Sequence, residues 1–156
     1  MPVVKAVRRI PVPARVAYEV AADVGAYQEF LPLLEESAIL GEVAETSDSR
    51  RFQARLVVGY KKLGLRERFT SDVLCDWAKR SVTATSREAP FRQLRTVWTV
   101  RDSGAHVEVA VEVDYAMRNP LLQLALSGAM DVVVGKVMAA FEARALQIHA
   151  RASSSN

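Results

Sequence analysis

The 156-residue sequence predicts an α+β fold in which a bent antiparallel sheet of about six to seven strands wraps around one long C-terminal helix, with two short helices after the first strand. Three observations predict it. Between residues 38 and 116 the chain reads as short runs of alternating apolar and polar residues separated by turn-forming clusters, the pattern of a sheet with one dry and one wet face. Residues 120–149 carry apolar side chains at helical spacing, over ~45 Å at ~1.5 Å per residue, enough to cover such a sheet. Half of the residues are hydrophobic and a quarter charged, a globular composition large enough for one real core.

The first strand spans residues 3–10 and is stopped by Pro11 and Pro13. Pro13 suits the first turn of a helix over 14–22, because a proline there forfeits no helical hydrogen bond. Asp23 and Gly25 break that helix, and 25–31 forms a second short one closed by Pro32. Strands follow over 38–44, 51–60, 65–74, 80–86, 94–101 and 106–116. In 51–60 the residues Phe52, Ala54, Leu56, Val58 and Tyr60 share one face, opposite Gln53 and Arg55. In 94–101 Leu94, Thr96, Trp98 and Val100 share a face, and Asp102-Ser103-Gly104 makes a hairpin turn. The 106–116 strand sets Val107, Val109, Val111, Val113 and Tyr115 against Glu108, Glu112 and Asp114.

Asn119-Pro120 starts the last helix, read as one element to about His149. Its main stripe is Leu122, Leu126, Met130, Val133, Val137, Phe141, Ala145 and Ile148. A second row, Leu121, Leu124, Ala125, Ala129 and Val132, occupies only the first half; past Gly135 the other faces turn polar. A helix apolar all round needs a second covering, from core, partner, ligand or lipid. A curved sheet gripping one helix leaves space between them, a pocket for something apolar. Residues 1–150 read as one domain, and 151–156 as a disordered polar tail.

Charge is unevenly spread. Residues 35–48 hold Glu35, Glu36, Glu42, Glu45 and Asp48 and no Lys or Arg, whereas 50–68 hold seven basic residues against Glu67. Adjacent strands pairing opposite charges on a solvated face explain this simply; lipid headgroups or nucleic acid are the alternative partners. The single cysteine, Cys75, excludes an internal disulfide and fits a reducing compartment. The opening Met1-Pro2-Val3-Val4-Lys5 has no apolar signal-like stretch. The longest apolar run falls short of a membrane span and is interrupted by Gln123, Ser127 and Asp131. The expected localisation is therefore cytoplasmic, with peripheral contact at the inner membrane.

Catalytic sets are missing from the pattern. His106 and His149 lie outside any metal-ligand spacing, and no phosphate loop, nucleophile elbow or dinucleotide fingerprint occurs. No cofactor, metal or catalytic residue is expected. Glu67 is the one ionisable group that alternation turns inward, beside Leu65, Phe69 and Val73; the simpler reading leaves it solvated or paired near the sheet edge.

Four segments, in order, carry a resemblance: Ala26-Tyr27-Gln28-Glu29-Phe30-Leu31-Pro32; Glu67-Arg68-Phe69-Thr70-Ser71; Pro90-Phe91-Arg92-Gln93-Leu94 leading to Thr96-Val97-Trp98; and Ala139-Ala140-Phe141-Glu142-Ala143-Arg144-Ala145. Together they resemble the coenzyme Q-binding branch of the START-like, polyketide cyclase-like superfamily across nearly the whole chain. The resemblance implies a helix-grip fold and binding of a polyprenyl quinone such as ubiquinone, in support of respiration or quinone biosynthesis. Bacterial relatives are described as ribosome-association toxins. Where the family commonly has Pro-Trp-Cys, this chain has Pro32-Leu33-Leu34, which removes any stacking contact there but not an apolar lining.

The sequence thus predicts a non-enzymatic carrier of ubiquinone or a related hydrophobic small molecule. Phe30, Leu56, Val58, Phe69, Trp98, Val109, Val111, Met130, Val134 and Met138 are the expected cavity lining. Lys61, Lys62, Leu121, Leu124 and Ala125 are the expected membrane-docking residues. The alternatives are a ribosome-binding toxin that blocks subunit association and a polyketide cyclase/dehydratase-like enzyme. DNA is not an expected partner.

Overall fold

The computed structural model describes residues 3–154. They form strand β1 (Val3–Ile10), helix α1 (Ala14–Ala22), a 3-10 segment (Val24–Glu29), strands β2 (Leu34–Glu45), β3 (Ser49–Tyr60), β4 (Leu65–Asp76), β5 (Ser81–Ser86), β6 (Phe91–Ser103) and β7 (His106–Met117), and helices α2 (Pro120–Ser127) and α3 (Met130–Ser154). The seven described strands make one antiparallel sheet in the order β1-β7-β6-β5-β4-β3-β2. Every strand after β2 pairs with its sequence neighbour, and β1 closes the order by pairing with β7.

The dry face follows the alternation. Leu56 lies opposite Phe69, and Trp98 opposite Val111, which in turn pairs with Ala6. α3 packs against β1 and α1, and the Phe141 ring stacks on Trp98 with centroids 4.6 Å apart. Pro13 precedes α1 in extended conformation, and the helix buries Ala17, Tyr18, Val20, Ala21 and Ala22. The 3-10 segment is tied to α3 by the Arg144–Glu29 ion pair at 3.1 Å and to β2 by Ser37, whose amide donates to Gln28 Oε1 at 2.9 Å.

Three features depart from the sequence reading. β2 begins at Leu34, four residues earlier than expected, and carries register shifts on either side of a regular stretch. The last helix is not continuous: α2 and α3 meet at a bend of 59° across Gly128 and Ala129. There the Ala129 amide donates to Leu126 O, a tight three-residue step at 2.9 Å, and the glycine's poor helix propensity lets the chain turn. α3 also continues through Arg151 to Ser154, where a polar tail was expected; residues 155 and 156 of that tail lie outside the described residues. No single described helix is long and apolar enough to cross a membrane.

A candidate ligand cavity beneath the bent helix

Between α3 and the middle of the sheet lies a cavity of about 240 Å³. One helical stripe forms its roof, Met130, Val133, Val134 and Val137, at the i, i+3, i+4, i+7 spacing of a single helix face. The dry faces of β3 to β7 form the floor, including Leu56, Val58, Phe69, Trp98 and Val111. Val133, Val137, Leu56 and Val58 face the sheet–helix interior yet stay half-buried, because the space before them is not filled by side chains. The inner end is walled by buried Val24, Tyr27, Ser71, Val73 and Val82. The outer end is rimmed by half-exposed Leu33, Tyr60, Leu65 and Phe91.

The wall is almost wholly apolar, and none of its residues is Asp, Glu, His, Lys, Arg or Cys. Its few polar groups are accounted for differently. The Tyr27 hydroxyl donates to Ala21 O, and burial raises the phenol pKa far above its ordinary value, so it keeps its proton. The Tyr115 hydroxyl lies 3.4 Å from Ser127 Oγ. Ser71, 1 % exposed, has a hydroxyl with no hydrogen-bond partner among the described residues. An unpaired buried hydroxyl costs about 1–3 kcal/mol.

Of the ten residues expected to line the space, Leu56, Val58, Phe69, Trp98, Val111, Met130 and Val134 do so. Three lie elsewhere. Val109 pairs with Arg8 and Val100 and is fully buried. Met138, one turn past Val134, is 1 % exposed and belongs to the packed core with Val109 and Phe141. The Phe30 ring points to the far end of α3, under the Arg144 guanidinium at 5.0 Å and edge-on to Tyr27. Leu33 and Leu34, where the sequence reading kept an apolar lining, are on the wall, and so is Ser71, which that reading did not place there. Leu33 and Leu34 occupy the place of the missing Trp-Cys pair, so that position does keep an apolar lining. Leu33 has a left-handed backbone, φ 70°, unfavourable for a branched side chain, and its carbonyl accepts from the Gly59 amide at 2.8 Å.

Glu67 is half-buried on the same face as Leu65 and Phe69 but is not part of the wall, and it forms no ion pair among the described residues. The acidic and basic segments do meet across strands: Glu45 lies opposite Arg50, and Glu35 reaches over β3 to Arg66 at 2.8 Å. Gly59 makes that reach possible, since a β-carbon at 59 would collide with the Glu35 carboxylate. Cys75 is buried away from the cavity, and burial pushes its thiol up to about 11, leaving it unreactive at neutral pH.

The residues expected to dock on a membrane are all at the surface. Leu121 is 79 % and Leu124 73 % exposed, and Ala125, Lys61 and Lys62 are exposed as well. Asn119 fixes this presentation: its side chain accepts from the Leu121 and Leu122 amides, with Pro120 in the first turn. The opposite side of α2 sets Leu126 against Tyr115 and Met117, and Leu122, Leu63 and Phe91 pack on the same cluster. α2 and the Lys61–Leu63 turn therefore sit together at the rimmed end of the cavity. The Arg118 guanidinium, donating to Phe91 O and Arg87 O at 3.0 and 2.7 Å, holds the neighbouring lip in place.

Comparison with known proteins agrees with this geometry. Residues 10–142 match the model of the polyketide cyclase / dehydrase and lipid transport family, and the chain belongs to that family. It is 31 % identical over 137 residues to the coenzyme Q-binding protein coq10, mitochondrial, of Schizosaccharomyces pombe, covering 86 % of this chain and 78 % of that protein. It is 30 % identical over 142 residues to the ribosome association toxin RatA of Pseudomonas aeruginosa, covering 90 % and 92 %. In fold it is similar to a START superfamily protein from Mycobacterium smegmatis, with a TM-score of 0.78 at 18 % identity, covering 94 % of this chain and 98 % of the other. The fold is thus a START-like helix-grip.

Proposed function

We propose that the protein binds an isoprenoid quinone of the ubiquinone type in this cavity and acts as its carrier, without chemistry of its own. The observation that carries the reading is the apolar cavity between α3 and the sheet. An apolar cavity of about 150 Å³ suffices for benzene, so about 240 Å³ suits one substituted ring, and a polyprenyl tail would have to leave by the rim. The wall supports binding over catalysis, because acid–base work needs a positioned group able to take and give a proton, and no carboxylate or imidazole lines the space. The likeness to a coenzyme Q-binding protein supports the choice of ligand. A ligand so apolar resides in the bilayer, and the exposed leucines of α2 beside Lys61 and Lys62 suit insertion at an anionic lipid surface.

The test is a titration with ubiquinone-1 followed by quenching of Trp98, which lies on the wall, together with native mass spectrometry of protein purified from its own host. Saturable quenching and a co-purifying quinone are the expected results; neither appearing overturns the reading. A second reading follows from the likeness to RatA and from Arg51, Arg55 and Arg68, exposed on β3 and β4 and in no ion pair among the described residues. Ribosome binding through these arginines would collapse with added salt, whereas ligand uptake by an apolar cavity would not.

A further inference from the structure

Ser71 stands out against everything around it. It sits on β4 opposite Ala54, 1 % exposed, and its hydroxyl is without a partner among the described residues. It is on the wall of the cavity, near the buried end closed by Val73, Val82 and Trp98. Leu65, at the rim, is six residues away along the same strand, or ~20 Å at ~3.3 Å per residue. The large majority of buried side-chain polar atoms in folded proteins have a hydrogen-bond partner. Here the phenol of Tyr27, on the same wall, is already donating to Ala21 O, and neither the Thr96 hydroxyl nor the Trp98 indole N–H, both on the wall, bonds Ser71.

We infer that Ser71 is the polar anchor of the site: its hydroxyl donates to a carbonyl oxygen on the ligand's ring, which enters first, while the apolar tail trails out past the rim beneath α2. The inference rests on the proposed function for the ligand's identity but adds its orientation and the chemical feature selected. Rotation about the single χ1 bond of serine is enough to turn the hydroxyl toward the cavity. A ligand bearing a ring carbonyl then satisfies the hydroxyl on binding, whereas a hydrocarbon of the same shape leaves it unpaired, and such a difference discriminates more sharply than added apolar contact. The polar ring deep and the tail outward also place the longest apolar part of the ligand beside the exposed leucines of α2.

The experiment compares the intact protein with Ser71→Ala, using ubiquinone-1 and durene, a tetramethylated benzene without oxygen, as probes. The variant is expected to unfold at the same temperature as the parent or higher, since it removes an unpaired polar group. It should bind ubiquinone-1 about tenfold more weakly and durene no more weakly. The infrared carbonyl band of bound ubiquinone-1 should shift to lower frequency in the parent and return in the variant. Equal ubiquinone-1 affinity and an unshifted band in both proteins overturn the anchor while leaving the quinone reading intact. If the parent does not bind ubiquinone-1 but binds an aryl ketone such as acetophenone in a Ser71-dependent way, the anchor stands and the quinone reading falls. Binding of neither removes both.

Discussion

Along one face of α3, Met130, Val133, Val134 and Val137 look into a cavity, whereas Met138, Phe141 and Ala145 are sealed within the core that also holds Val107, Val109 and Ile10. Both halves of the stripe are aliphatic or aromatic at the same helical spacing, and both face the same sheet. They differ in the distance between layers. Toward its C-terminal end α3 lies on β1 and α1, and Phe141 stacks flat on Trp98. Toward its N-terminal end it stands off the sheet, and Trp98 forms the boundary, with core on one side and cavity on the other. The fold is therefore held by one half of the helix, which frees the other half to enclose a ligand. Hydrophobic burial in the first half is stability already gained; in the second it is available to a bound molecule.

The comparison is most open to breaking by truncation. Phe141→Ala should cost about 3–5 kcal/mol in urea unfolding, as loss of a fully packed aromatic does. Val133→Ala, four residues from the kink and half-exposed to the cavity, should cost about 1 kcal/mol or less. Comparable losses at the two sites would mean that the cavity is ordinary core.

Enlargement reverses the pattern. Val109→Phe pushes a ring into filled space and should destabilise by about 1–3 kcal/mol. Val133→Phe places the same ring in the cavity, where it should leave the unfolding midpoint unchanged or raised while weakening ubiquinone-1 binding by at least about tenfold. Retained binding in Val133→Phe would locate the ligand elsewhere.

How legible this division was in the sequence follows from the same residues. The strands themselves and the shared faces of Leu56 and Val58, Trp98 and Val100, or Val109 and Val111 come directly from period-2 alternation, so the sheet and its dry side were readable, whereas the pairing of β1 with β7 was not. Periodicity assigns a face, however, and is silent on the gap between faces; that is why Val109 and Met138 were expected in the cavity beside Val111 and Val134, two residues and one turn away. Phe30 was misplaced for another reason: it leaves the 3-10 segment toward Arg144, a contact set by tertiary packing 114 residues away in sequence. The bend at Gly128 did leave a signal, a glycine beside Ser127 inside a helical pattern, outweighed by the continuity of the apolar stripe. Ser71 left a signal too, a small polar residue on the face of Phe69 and Val73, but only its lack of a partner among the described residues gives it meaning.

A weaker effect is expected at α2, the element that continues the cavity half outward. Leu121→Glu with Leu124→Glu should reduce sedimentation with anionic liposomes by about tenfold. The unfolding free energy should change by no more than about 0.5 kcal/mol, because both side chains already stand in solvent. Unfolding of the double variant would instead assign these leucines to the core.

The smallest effect is expected at Glu67, which separates a binding role for the cavity half from a catalytic one. It shares a face with Leu65 and Phe69 but stops short of the wall, is half-buried, and forms no ion pair among the described residues. Glu67→Gln preserves shape and removes only the charge and the titrating proton. A carrier has no use for that proton, so ubiquinone-1 affinity should stay within about twofold and stability within about 0.5 kcal/mol. Complementation of a strain lacking its quinone carrier should be full. In an enzyme that used Glu67 as its acid or base, the same change would cost ~100-fold or more in rate while leaving affinity untouched. Failed complementation by a folded, ligand-binding Glu67→Gln protein would therefore overturn the carrier reading and turn the cavity from a compartment into an active site.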